Sequence, residues 1–340
     1  DDIGADISVG ASFSCRSSSY RFEQAAKLLA DNLLRPALPE AAFAVVKKET
    51  IAALTGRIRS PGYLSGRALR EGLFPEADPA LRDATPGTAA AVSLQDVKSY
   101  YQKVFRPDMT TIVVIGDVSA KRARAAITRY FGAWKAAGAR PETDLPAVPP
   151  NRPSLAAVPD ASRVQDEVVL AETIGVTRSH PDYYTLELGN RVLSGAFYAS
   201  RLYRDLREKA GLVYTVGSIV EAGKHRSLFR IVYGCDPPNV AKARAMVEKD
   251  LADMRTDPVT PEELRRAKIL LLRQIALSEA STDAVAARLL SLSLQDLPLD
   301  ETRRAARRYR DTTAAQVRDA FKKWIRPAGF VQVTVGPNPQ

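Results

Sequence analysis

The stretch Ser200-Arg201-Leu202-Tyr203-Arg204-Asp205-Leu206-Arg207-Glu208-Lys209-Ala210-Gly211-Leu212-Val213-Tyr214 decides how this chain is read. It packs charged residues, a glycine and a spaced arginine–tyrosine pair into a short run. Residues 201–209 read as a helix, with Gly211 just past its end, and Val213 opens a strand that continues to Glu221. On the residues alone, Arg207 can cap the helix end and Tyr214 can be an ordinary strand aromatic. A guanidinium donates a forked pair of hydrogen bonds to a carbonyl or carboxylate, and a phenol can donate to an oxyanion.

Outward from this stretch the chain repeats itself. Residues 93–107 align without a gap on 313–327. Val97 meets Val317, Tyr101 meets Phe321, Phe105 meets Ile325, and Arg106-Pro107 meets Arg326-Pro327. Each copy reads as a helix capped by Ser93 or Thr313, a proline break, then a β-branched strand ending at glycine: Thr111 to Ile115 and Val331 to Val335. Cys15 and Cys235 fall in the same register, in equivalent places of separate lobes, which disfavours a disulfide between them. A second pair of long helices begins at Pro39-Glu40 and Pro261-Glu262, each with an acidic first turn. Upstream of these lie helices Phe22 to Leu34 and Val240 to Met254.

The proline-dense run from Arg140 to Pro153 reads as an extended linker. The expected organisation is therefore a first domain over 1–140, a linker over 141–160 and a second domain over 161–340. Each is expected to be α+β, a mostly antiparallel sheet with helices on one face. Domain two runs strand Asp166–Glu172, helix Asp182–Leu193, helix Arg201–Lys209, strands Val213–Glu221 and Ser227–Cys235, more helices and a last strand. Against that order, the first copy lacks roughly 55–60 residues at its front.

Composition bounds the function. Apolar content of 45% and charged content of 26% fit a soluble globular protein of about two domains. No apolar run is long enough to predict a transmembrane segment. The net charge of +10 is scattered. Its densest run, residues 303–310, has helical spacing and reads as a solvated face, so no nucleic-acid partner is expected. Two cysteines without a Cys-x-x-Cys make no disulfide scaffold and no zinc knuckle. The only histidines, His180 and His225, fall in turns, so no metal site is expected within the chain. Phosphate-cradling glycine motifs and a nucleophile elbow are also absent.

The Leu-Arg-Glu-Lys-x-Gly-Leu-x-Tyr run and both repeats resemble the pitrilysin, insulysin and mitochondrial processing peptidase family of inverted-motif zinc peptidases. The resemblance implies two α+β halves forming a clamshell around a cavity. It makes Arg207 and Tyr214 catalytic, binding substrate beside the metal. It places a substrate loop at Leu193 to Ser200, with Gly195 the one glycine left and Phe197 and Tyr198 either lining a peptide channel or packed in the core. The strand Val213 to Ile219 is a candidate for pairing with an extended peptide. The family's His-x-x-Glu-His motif does not occur in this sequence. Its third ligand, a glutamate, falls near Ala53, and Glu49 is out of register. The chain thus resembles the zinc-free subunit of a heteromeric metalloendopeptidase, with zinc expected in a homologous partner subunit and peptides as substrate. No complete active site is expected in this chain. The alternative is a non-catalytic structural core subunit of a larger complex. The resemblance and the composition suggest the periplasm, failing which the cytoplasm.

Overall fold

A computed structural model describes residues 4–10, 12–195 and 197–339 of the 340. The chain forms two compact units that do not follow one another end to end. The first comprises residues 1–54, 84–143 and 280–291; the second comprises 55–83, 144–279 and 292–340.

In the first unit, strands β1 (Asp6–Val9) and β2 (Phe13–Arg16) form an antiparallel ladder. Helices α1 (Phe22–Leu34) and α2 (Glu40–Arg57) follow. The helix α3 (Pro61–Leu73) lies in the second unit, and the chain then returns for α4 (Pro86–Ala91), α5 (Leu94–Val104) and α6 (Ala120–Phe131). The core of the first unit is small: Ala30, Leu33 and Phe131, with Phe13, Phe105 and Trp134 packed on it. Tyr101 stacks on Phe105 and donates its hydroxyl hydrogen to the Leu33 carbonyl at 2.7 Å.

The second unit carries a five-stranded sheet. Its strands are β3 (Ser154–Pro159), β4 (Asp166–Ile174), β5 (Val213–Ala222), β6 (Ser227–Cys235) and β7 (Val331–Gly336), in the order β3-β7-β4-β6-β5. Only the β3–β7 pair is parallel. Between β4 and β5 lies helix α7 (Tyr183–Asn190), and after β6 come α8 (Val240–Thr256) and α9 (Pro261–Leu277). Helix α10 (Thr282–Leu294) belongs partly to each unit. Helices α11 (Glu301–Asp311) and α12 (Ala314–Trp324) lead into β7.

Alternation along β6 buries Phe229, Ile231 and Tyr233 against Val168 and Leu170 of β4 and the apolar faces of α7, α8 and α12. The other face of the sheet, at Ala171, Val331 and Val333, is covered by Leu73 of α3. Val331 lies so near Gly72 that a β-carbon there would stand 2.6 Å from its Cγ1. The chain is thus α+β, and the second unit has a mixed, mostly antiparallel sheet with α7, α8 and α12 on one face and α3 on the other.

Both repeat helices carry the expected caps. The Ser93 and Thr313 hydroxyls each accept from the backbone N–H three residues on, and that residue's side chain returns the bond. The arginine of each Arg-Pro break does more than precede a stop. Buried Arg106 donates to the carbonyls of Ala137, Gly138 and Ala139 and pairs with Asp108. Arg326 donates to the Thr173 carbonyl, and its backbone N–H donates to Glu172 at 2.8 Å.

Two expectations meet a different outcome. Thr111 to Ile115 forms no strand among the described residues, and Ile112, Val114 and Ile115 are exposed. A strand needs a ladder neighbour, and the only ladder described in the first unit is β1–β2, whereas its counterpart β7 lies between β3 and β4. In the stretch 141–160, residues 154–159 form β3 at the edge of the sheet, where the prolines at either end cost no interior ladder bond.

Candidate functional site

The residues singled out by sequence lie on one continuous path through α7, two π-helical turns and β5. The first turn, Arg191–Gly195, continues α7; the second spans Tyr203–Lys209. Such widened turns place an extra residue per bond and often mark sites. The second turn ends with Ala210 N–H on the Asp205 carbonyl and Leu212 N–H on the Leu206 carbonyl, at 3.2 and 2.9 Å. Gly211 has φ +62, a conformation that favours glycine, and there the chain reverses into β5.

Arg207 projects from the second turn into solvent. Its Nη1 donates to the main-chain carbonyl of Tyr214 at 2.7 Å, and its guanidinium stands over the Tyr203 ring at 5.1 Å. The rings of Tyr203 and Tyr198 meet edge to face at 5.0 Å. Tyr198, Tyr203, Arg207 and the Tyr214 backbone therefore form one column. Tyr198 is 62% exposed, so it belongs to the surface of this column and not to the core. Tyr214 is 49% exposed and falls in a bulge between Val213 and Thr215 in the β5–β6 ladder. Bulges re-aim the side chain they carry. The Tyr214 hydroxyl lies 3.3 and 3.4 Å from the two Asp236 carboxylate oxygens.

Gly195 closes the first π-turn, where a β-carbon would collide with the Arg191 side chain. The neighbouring Ser194 Oγ accepts from Ser218 N–H at 2.7 Å, and Asn190 Nδ2 donates to the Ser218 carbonyl at 3.2 Å. β5 is an edge strand, but its backbone at Ser218 and the Tyr214 carbonyl are already engaged by side chains. An added peptide strand would have to displace them. Phe197 opens the short turn Phe197–Ala199, and its side chain lies outside the described part of the chain.

Behind the column the charges are ordered. Asp205 is held at about 2, first by its hydrogen bonds from Arg204 and then, against burial, by Lys209. Arg201 makes a forked bond with Glu263 at 2.9 Å. Asp250 of α8 is 4% exposed, and its Oδ2 has no hydrogen-bond partner. Burial, and then the charge of Asp205, push it up to about 7.

Among the described residues, no group of three His, Cys, Asp or Glu side chains could hold a metal ion. His180 Nδ1 accepts from Asp182 N–H in its turn, with its ring against Trp324. His225 lies 3.3 Å from Asp144. Ala53 and Glu49 are both exposed on α2, and neither stands in a ligand cluster. The donor set present does not fit zinc. No described helix is long and apolar enough to cross a membrane.

Sequence reasoning missed Tyr203 and Asp236. Tyr203 precedes Arg207 by four residues, the spacing at which helical side chains meet. Asp236 is followed by two prolines, which lack N–H groups for it to cap.

The family model described as Peptidase M16 inactive domain matches residues 91–271. An uncharacterized zinc protease of Bacillus subtilis, YmxG, is 24% identical over 200 residues, covering 59% of this chain and 47% of that protein. A probable inactive metalloprotease of the same organism, YmfF, is 23% identical over 189 residues, covering 54% and 42%. The chain thus spans about half the length of the curated relatives it matches. The crystal structure of a peptidase M16 inactive domain from Pseudomonas fluorescens superposes with a TM-score of 0.87 at 26% identity, over 99% of this chain and 82% of that one.

Proposed function

Given that this chain belongs to the peptidase M16 inactive-domain family, we propose that it is the substrate-binding, zinc-free subunit of a heteromeric zinc metallopeptidase. It would cleave peptides together with a partner that carries His-x-x-Glu-His. The observation that carries this reading is the column at the start of β5, where the exposed Arg207 guanidinium is bonded to the main chain of Tyr214, itself an exposed phenol. Arg207 keeps most of its N–H donors free of the Tyr214 carbonyl, and these suit a peptide carbonyl or carboxylate. The Tyr214 hydroxyl is a donor for a carbonyl oxygen gaining negative charge. Ala53 supports a zinc-free role, because alanine offers no donor at the position the resemblance gives to the third ligand. The metal and the attack on the peptide bond would be the partner's.

The test is reconstitution with a homologous His-x-x-Glu-His subunit and an unfolded substrate. The mixture should cleave it where neither chain alone does, and Arg207→Ala or Tyr214→Phe should depress cleavage with no change in complex formation. Full activity in both variants would remove the proposed role and leave the competing one, a structural core subunit.

A further inference from the structure

We propose that Asp236 is the resting partner of the Tyr214 hydroxyl and sets how readily that hydroxyl reaches a substrate; this rests on the peptide-binding role given above to Arg207 and Tyr214. Asp236 follows β6 directly and precedes Pro237-Pro238 and α8. An aspartate in such a place ordinarily turns its carboxylate onto the free N–H groups of the next helical turn. Prolines have none, and Asp236 makes no side-chain bond of that kind. The carboxylate is turned instead to the Tyr214 hydroxyl, at 3.3 and 3.4 Å. The bulge makes this meeting possible. Val213 is the ladder partner of Cys235 and Thr215 that of Gly234, so Tyr214 is the extra, unpaired residue at the end of β6 that Asp236 follows.

The two donors of the column are not held alike. A guanidinium has several N–H groups, and the Tyr214 carbonyl occupies one of those on Arg207. A phenol has a single proton, and a carboxylate is a stronger acceptor than a peptide carbonyl. A substrate carbonyl can therefore join Arg207 without breaking anything, but it must take Tyr214 from Asp236. Asp236 is a positioning residue. It acts through the phenol and selects for carbonyls that carry developing negative charge, which compete with a carboxylate better than neutral ones do.

The experiment uses the full chain and fluorescein-labelled β-casein, an unfolded polypeptide, with binding read by fluorescence anisotropy. Asp236→Ala should bind about fivefold more tightly than the unaltered chain, the worth of one modest hydrogen bond. In a Tyr214→Phe background the same change should do nothing. Asp236→Asn, which keeps an acceptor but loses the charge, should fall between. Unchanged or weaker binding by Asp236→Ala, or a gain that persists in the phenylalanine background, overturns the proposal. If the unaltered chain binds in an Arg207-dependent way while Asp236→Ala is silent, this inference alone fails. If no binding depends on Arg207, the peptide-binding reading fails and takes the inference with it.

Discussion

The guanidinium of Arg207 donates to the main-chain carbonyl of Tyr214, seven residues along the chain, at 2.7 Å. The bond ties the end of a π-helical turn to the bulge that opens β5. It holds the guanidinium against the start of β5 while leaving both side chains exposed. Arg207→Lys should therefore fail to replace arginine, because an ammonium cannot hold the carbonyl and fork onto a substrate in one plane. We expect casein binding to fall about tenfold or more, with the melting temperature nearly unchanged because the side chain is in solvent. Anisotropy and thermal melts on the same samples check this.

Asp250 predicts a pH dependence of stability. Its carboxyl keeps its proton to about pH 7 in the folded chain and loses it near pH 4 when unfolded. Folding is favoured by this group fully below pH 4, and that contribution is lost as pH rises through 7. Asp250→Asn should remove the loss, stabilising the protein at pH 8 by roughly 4 kcal/mol at most and by little at pH 4. Urea unfolding at the two pH values tests the difference. An equal effect at both would mean that Asp250 is ionised throughout.

Gly72→Ala should destabilise the second unit. The new β-carbon would stand 2.6 Å from Val331 Cγ1 and 2.9 Å from Ser154 Oγ, so α3 must withdraw from β3 and β7. Overpacking of this kind costs about 1–3 kcal/mol. Denaturant midpoints measure it, and Gly62→Ala, whose β-carbon meets nothing within 4 Å, is the control on the same helix.

How much of this was legible in the sequence depends on where each instruction lies. The bounds of β6 could be read from Ser227 to Cys235, because one strand buried on one face alternates. The caps at Ser93 and Thr313 were legible because a cap is settled within four residues. The packing of α3 on β7 was not, since Gly72 and Val331 meet only after the whole second unit has folded. The β-branched run at Ile112 to Ile115 pointed to a strand, but a strand is a property of pairs, and propensity names one member only. Arg207 and Tyr214 were legible through a motif, whereas Asp236 needed the ladder register to be known. The widened turns at 191–195 and 203–209 have the composition of ordinary helix, and only packing distinguishes them.

Arg226→Ala should destabilise through what it leaves behind. Arg226 pairs with Asp78 at 3.0 and 3.2 Å and donates to the Pro146 carbonyl. Burial works to raise the Asp78 carboxyl, and the Arg226 hydrogen bonds with the Ala80 N–H bring it below the usual range. Without arginine a buried carboxylate keeps only the Ala80 N–H, a loss of about 3 kcal/mol. Arg226→Ala with Asp78→Asn should recover much of it, and a double-mutant cycle by urea unfolding gives the coupling.

The place of β7 governs how the protein can be made. It follows the other six described strands in the sequence, yet it fills the gap between β3 and β4. Until residues 331–336 emerge, a nascent chain holds β4 with one side open and β3 with no strand to pair with. Strand edges left open in this way invite pairing with other chains. A polypeptide cut just before residue 331 should therefore be more prone to aggregate than one that includes β7, and should collect in inclusion bodies.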